Sequence, residues 1–330
     1  MKAAGLLARA LSDPHGTAIE DWNALISAAR AEQLIGSLAC RMEGRAVPPR
    51  VAAIFDAARR DSARQRTQAL WEAEMARRAL APLGVPVILL KGTAFHAAGL
   101  EASAGRSVGD LDILVPRESL DAVEAALLAA GWEHVKDTKG YDDGYYRRWM
   151  HELPPLIHRD RDRMIDVHHT ILPPTARPSP DAGALIADSV ALENGLRTLS
   201  PADMIVHAAA HLFADGDLAG GLRNLWDIDR LLREFDSDDF RRTLDARARR
   251  HQLAGPVARA LRLAHRLYGT PAGAGRARLS DRLFEARLLA RNGWGQERRK
   301  LIRFFFYVRS HWLRMPPLML ARHLWIKATR

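Results

Sequence analysis

Asp110-Leu111-Asp112 opens a short apolar run that ends at Val115-Pro116. In a strand, alternate residues point to one face, so both carboxylates project together. Two like charges a few ångströms apart repel, and each raises the other's pKa. A divalent cation relieves that repulsion, and Mg²⁺ prefers carboxylate and phosphate oxygens. Ile165-Asp166-Val167-His168 places a third acid on a second apolar run, with His168 positioned to orient Asp166. Three carboxylates on adjacent strands could hold two metals, the arrangement that stabilises the attacking and leaving oxygens of an in-line phosphoryl displacement. Upstream, Val85-Pro86-Val87-Ile88-Leu89-Leu90 reads as a buried strand that stops at Lys91-Gly92-Thr93. The Gly92 and Thr93 amides and the Thr93 hydroxyl could hold phosphate oxygens where a helix begins. Lys91 and Arg106 would supply positive charge for a triphosphate, and Arg223 is a further candidate for phosphate contact.

Taken as a set, Leu90-Lys91-Gly92-Thr93, then Arg106-Ser107-Val108-Gly109-Asp110-Leu111-Asp112-Ile113-Leu114-Val115, then Ile165-Asp166-Val167-His168 resembles the bacterial uncharacterised nucleotidyltransferase family, within the DNA polymerase β-like superfamily. The resemblance runs over roughly residues 20 to 270. It implies an α+β fold in which a small mixed sheet is flanked by helices. It also implies Mg²⁺ or Mn²⁺ held by Asp110, Asp112 and Asp166, and a nucleoside triphosphate such as ATP as co-substrate. The superfamily usually has Gly-Gly or Gly-Ser where this chain has Gly92-Thr93; threonine keeps the hydroxyl and adds a methyl. The resemblance further implies that His211, and Asp227 in Leu225-Trp226-Asp227-Ile228-Asp229, face the cleft. The reaction implied is transfer of a nucleoside monophosphate to an acceptor that is a small molecule, a protein or RNA. Two alternatives stand beside it: a toxin-like nucleotidyltransferase acting on tRNA, and a non-catalytic nucleotide-sensing or scaffold module.

His207 and His211 lie four residues apart, on one helical face. That spacing suits a zinc pair, but no glutamate of the H-E-x-x-H type accompanies it. Packing against a neighbouring element is the competing reading.

The elements expected to carry these groups follow from periodicity and punctuation. Residues 1–80 read as helical, broken at Val47-Pro48-Pro49, with a second helix from about Arg50 to Leu80. Ala94 to Leu100 and Glu118 to Ala130 read as helices, the latter closed by Gly131. Strands are expected at Trp132 to Lys136, Tyr145 to His158 and Met164 to Thr170, the last two joined by a charged turn. A proline-rich linker spans Pro173 to Pro180, and the pattern is helical from there to about Arg291. Ser200-Pro201-Ala202-Asp203 is a helix start, with serine as N-cap and proline at the first position. The expected organisation is an N-terminal helical region (1–80), a nucleotidyltransferase core (81–175), a C-terminal helical domain (181–297) and a basic aromatic tail (298–330).

The 330 residues are 48% hydrophobic and 27% charged, enough for a sizeable core and too apolar for disorder. No stretch of 18 uncharged apolar residues exists, which excludes an ordinary spanning helix. A single cysteine, Cys40, excludes an internal disulfide framework and any cysteine-rich metal site. Arg9 cuts the apolar stretch at the start, and no small-residue cleavage pattern follows, so the reading is a cytoplasmic protein. The net charge of +10 is local: nine Lys and Arg follow the last acid, Glu297, leaving 40 basic against 39 acidic residues before it. Along that tail Leu301, Phe305, Val308 and Trp312 share one helical arc, while Arg299, Lys300, Arg303 and Arg314 lie on the other side. Three readings compete for it: a helix packed on the body with a basic outer face, adsorption to the anionic surface of the inner membrane, and binding of RNA or another polyanion.

Overall fold

The computed structural model describes residues 3–135, 149–271, 278–314, 320 and 325. Four helices come first: α1 (Ala3–Ser12), α2 (Trp22–Ala31), α3 (Ile35–Arg41) and the long α4 (Pro49–Leu80). Asp21 caps α2 by accepting from the Ala24 amide at 2.9 Å. Pro49 begins α4, as the Val47-Pro48-Pro49 break predicts, because the missing N–H of a proline costs nothing at a helix start.

The sheet then begins with β1 (Ile88–Leu89), followed by α5 (Lys91–Ala97), β2 (Leu111–Leu114), α6 (Leu120–Ala129), β3 (Trp132–His134), β4 (Leu156–His158) and β5 (Met164–His168). After α7 (Ala182–Ala187) come β6 (Val190–Ala191) and β7 (Arg197–Thr198). The seven strands form one mixed sheet in the order β3-β4-β5-β2-β1-β7-β6. Central β2 runs antiparallel to β1 and parallel to β5, with Asp112 opposite Asp166 and Leu114 opposite His168. Every residue of β2 is buried, so the strand is the spine of the core. Helices α8 (Pro201–Ala210), α9 (Gly221–Glu234), α10 (Asp238–Arg250), α11 (Ala254–Tyr268), α12 (Leu279–Leu288) and α13 (Lys300–Arg314) complete the α+β fold. Ser200 caps α8 through the Asp203 amide at 3.2 Å, as its sequence predicts. No helix among the described residues is long and apolar enough to cross a membrane.

Three expectations are corrected. The segment 181–291 is not helical throughout, because β6 and β7 form a hairpin whose parallel pairing to β1 extends the sheet. The expected strand from Tyr145 to His158 is reduced to Leu156–His158, with one isolated bridge at Glu152. Pro154 and Pro155 interrupt it, since proline cannot donate to a ladder; Tyr145 to Arg148, and Lys136 at the end of the preceding strand, lie outside the described residues. In α13 the packed side is centred on Phe306 and Ser310, not on Leu301 and Phe305, which are exposed. Phe306 meets Phe284 edge to face at 4.9 Å, and Arg309 donates to the Phe213 carbonyl at 2.8 Å. Met315-Pro316-Pro317, whose prolines are expected from sequence to break this helix, lies outside the described residues.

Ion pairs tie the helices to one another and to the β4–β5 turn across long stretches of sequence. Glu32, at the C-terminal end of α2, accepts from Arg291 at 2.7 Å and from the Leu222 amide at 3.3 Å. Glu72 of α4 is held by Arg161 in the β4–β5 turn at 2.8 and 3.0 Å. Asp203 of α8 is held by Arg247 of α10 at 2.8 and 2.6 Å. The start of α3 packs backbone to backbone against the turn before Arg106. There Gly105 has φ +65°, and a Cβ on it would drive into the Gly36 carbonyl. Gly105→Val is therefore expected to lower stability by at least about 1 kcal/mol, read as the midpoint of urea unfolding. An unchanged midpoint would mean that this contact does not hold the N-terminal helices on the sheet.

Candidate active site

The strand register builds the site. Asp112 on β2 and Asp166 on β5 are Cα partners, and Asp110, two residues before Asp112, shares their face. One carboxylate oxygen from each of Asp110, Asp112 and Asp166 lies within 4.8 Å of the others. The three acids chosen from sequence therefore converge. They differ in setting: Asp110 is exposed, Asp166 half-buried and Asp112 buried.

Asp112 stays ionised despite its burial. Burial alone would push its carboxyl up, but the Lys91 ammonium at 2.5 Å and His168 Nε2 at 3.0 Å outweigh it and hold Asp112 well below the usual carboxylate range. Lys91 is likewise desolvated, yet Asp112 keeps its ammonium above its ordinary value. Lys91 sits at the β1–α5 turn with φ +49°, a left-handed conformation that costs an L-residue about 1–2 kcal/mol. The turn aims its side chain back across the sheet at Asp112.

Asp166 has the opposite fate. Burial, then Asp112 and Glu152, push its carboxyl up to about 7. Its Oδ1 is buried without a hydrogen-bond partner. A desolvated carboxylate oxygen facing two other carboxylates has the donor chemistry that suits a hard divalent cation.

His168 corrects one expectation. Its Nε2 meets Asp112, not Asp166, and its Nδ1 faces Glu152 Oε2 at 3.5 Å. The cross-strand register puts His168 opposite Leu114, one pleat beyond Asp112, which explains the reach. His151 and Glu152 were not singled out from sequence. The His151 ring stacks at 5.2 Å on His168, and the His151, Glu152 and His168 donor atoms form a second group within 4.8 Å. Hydrogen bonds from Leu153 to Val167 and from His169 to His151 lay this segment along β5. The signal was the pairing partner, which the short irregular stretch 149–155 does not advertise.

Arg106 is buried and turned to Asp227 on α9, with Nε at 3.1 and 3.0 Å from the two carboxylate oxygens. Gly92 makes this possible, because a Cβ there would collide with the Arg106 guanidinium. Thr93 is buried at the start of α5. A cavity of about 240 Å³ opens beside the acids, and its walls include Lys91, Arg106, Asp110, His207, His211 and Arg223. His211 and Asp227 thus reach the cleft, and the His207/His211 pair lines it. Burial, followed by the nearby Lys91 and His211 charges, pushes His207 well below its ordinary value. His151 is depressed in the same way, by burial and then His168. Both are neutral imidazoles at neutral pH. Arg223 lends a charge, with Nη1 on the Gln33 side-chain oxygen and a buried Nε that has no partner.

A model of a family described as an uncharacterised nucleotidyltransferase matches residues 19–269. No curated protein matches.

The raised pKa of Asp166 has a direct consequence for stability. An unfolded aspartate ionises near 3.8, whereas the folded one keeps its proton to about 7. Folded stability therefore falls as pH rises between those values and stays reduced above them. Without divalent cations, Asp166→Asn is expected to be more stable than the parent at pH 8, by up to about 4 kcal/mol. The advantage should vanish as pH falls toward 4. Thermal melts across that range check it, and equal melting points at pH 8 would contradict the arrangement.

Proposed function

The chain belongs to the uncharacterised nucleotidyltransferase family, and on that premise we propose that it transfers a nucleoside monophosphate from a nucleoside triphosphate to an acceptor, releasing pyrophosphate. The observation that carries the reading is the convergence of Asp110, Asp112 and Asp166, with one buried carboxylate oxygen left without a partner. These acids would hold Mg²⁺ or Mn²⁺, as in the DNA polymerase β-like superfamily that the motifs resemble. Such an ion, when bound, supplies positive charge to phosphoryl oxygens.

The chain's own groups have distinct tasks in this reading. Lys91 now neutralises Asp112 at 2.5 Å, and it also lines the adjoining cavity. Its ammonium swings to a phosphate once Asp112 has another counter-charge. Gly92 and Thr93 follow Lys91 in the turn from which it projects, but both are buried and neither lines the cavity, so the phosphate contact expected of them from sequence falls to Lys91 and Arg223. Arg106, fixed by Asp227, places a constant positive charge behind that turn, while Arg223 reaches the cavity with a donor to spare. His168 positions Asp112. The acceptor oxygen attacks the α-phosphorus, the bond to the β-phosphate oxygen breaks, and the proton released passes to Asp166. Catalysis here is positioning plus charge neutralisation.

Asp112→Asn is expected to abolish Mg²⁺-dependent consumption of nucleoside triphosphate while the far-ultraviolet circular dichroism is kept. Pyrophosphate release measured with each of the four triphosphates and a cell extract checks it. An undiminished rate in the Asp112→Asn protein would remove the assignment.

A further inference from the structure

Two spaces adjoin the loop that leads into Asp110. Besides the 240 Å³ cavity there is a second space of about 830 Å³, walled by Ser107, Val108 and Gly109 immediately before Asp110. Arg223 lines both spaces, and Asp110 on the wall of the smaller one directly follows Gly109 on the wall of the larger. The larger one continues into a further space of about 720 Å³, and the two share Arg30, Ile35, Ala58, Asp61 and Arg64. Together they make one groove along α4. Its lining runs from Ala53 to Gln68, about 22 Å along a helix.

The groove is cationic. Arg30, Arg60, Arg64, Arg163 and Arg223 line it, against a single acid, Asp61, which pairs with Arg64 and accepts from Gln65 at 2.7 Å. Arg163 and Arg223 bond only to the neutral side-chain oxygens of Gln68 and Gln33. Among the described residues no carboxylate pairs with exposed Arg30 and Arg60 or with half-buried Arg163 and Arg223, whereas buried or half-buried Arg106, Arg161, Arg247, Arg262 and Arg291 are each paired with one. Guanidinium groups left without counter-charges along a track suit an extended anion that supplies several of them. No aromatic side chain lines the groove, so bases would find no stacking platform there, and the recognised chemistry is the phosphodiester backbone.

We infer that this groove binds the end of a single-stranded nucleic acid and delivers its terminal hydroxyl to the acids. The inference rests on the transferase reading for what happens to that hydroxyl, but not for the binding itself. In the reaction the terminal oxygen bonds to the α-phosphorus of a nucleoside triphosphate, pyrophosphate departs, the hydroxyl proton goes to Asp166, and the strand gains one nucleotide. The length of the track and the spread of its charges favour a polymer over a small phosphate ester.

The test uses the full chain and fluorescein-labelled 12-nucleotide RNA and DNA, with anisotropy read from 50 to 200 mM KCl. Each phosphate contact contributes about 0.7 to the slope of log K against log salt for a single strand. Arg30→Gln/Arg64→Gln removes two exposed groove cations that do not line the cavity holding Asp110. Its affinity is expected to fall at least about tenfold, and its slope to drop by about 1.4. Parent-like affinity and slope in this variant would overturn the inference. So would loss of binding in Arg298→Gln/Lys300→Gln instead, which would move the nucleic acid to the C-terminal helix. Failure to bind either oligonucleotide, with inorganic phosphate or glycerol phosphate still raising the melting temperature of the parent and not of the groove variant, would make the ligand a small phosphate ester. Asp112→Asn should bind as the parent does. An oligonucleotide that binds through the groove but never lengthens in the parent would sink the transferase reading and leave the groove standing.

Discussion

A carboxylate in the middle of a buried strand must be matched by positive charge, and the Asp112–Lys91 pair does this at the centre of the molecule. In a low-dielectric interior an unpaired ion costs several kcal/mol, while removing one partner of a buried pair typically costs about 3–5 kcal/mol. The consequences spread outward. Lys91 reaches Asp112 from a left-handed turn, so the β1–α5 junction holds a conformation few residues adopt. His168 supplies the second contact, and Glu152 and His151 back it from the segment laid along β5. Burial, and then the charges of Asp112 and Glu152, push the Asp166 carboxyl up, so it keeps its proton to about 7. The site is thus arranged before any substrate arrives.

The helices around the sheet serve that arrangement through buried ion pairs rather than through a continuous apolar interface alone. Arg106 and Asp227 lock the loop before β2 to α9, and the two residues flanking the cavity, His207 and His211, ride on the end of α8 and the π-helical turn that follows it. Buried pairs are weak sources of net stability but strong sources of geometric definition, because few alternative packings satisfy them. The glycines at 36, 92 and 105 play the complementary part. Each lies where a Cβ would displace a carbonyl or a guanidinium that the site or its supports require.

Much of this was legible in the residues. The Asp110/Asp112 pair and Asp166 announced themselves through strand alternation, and the Pro48-Pro49 break and the Ser200 cap set two helix boundaries correctly. The β6–β7 hairpin escaped because its strands have only two residues each, although Asn194-Gly195 carried a turn signal. His168 was assigned to the acid on its own strand, since spacing reports neighbours along the chain and not the register that brings Asp112 across. Arg106 illustrates the same limit. Its proximity to the Asp pair was evident, but its partner lies 121 residues away. The tail's buried arc was misplaced by one position because helical periodicity names a stripe and only the Phe284 surface decides which stripe faces inward.

The Glu32 clamp bears on how the chain emerges from the ribosome. Glu32 is made early, whereas the groups that satisfy it, the Leu222 amide and the Arg291 guanidinium, are translated about 190 and 260 residues later. Until they appear, the nascent N-terminal helices carry an acid that is better left in water than packed away. β7 likewise joins β1 only after about 110 further residues, so the packing of the N-terminal helices is completed only when nearly 300 residues have been synthesised.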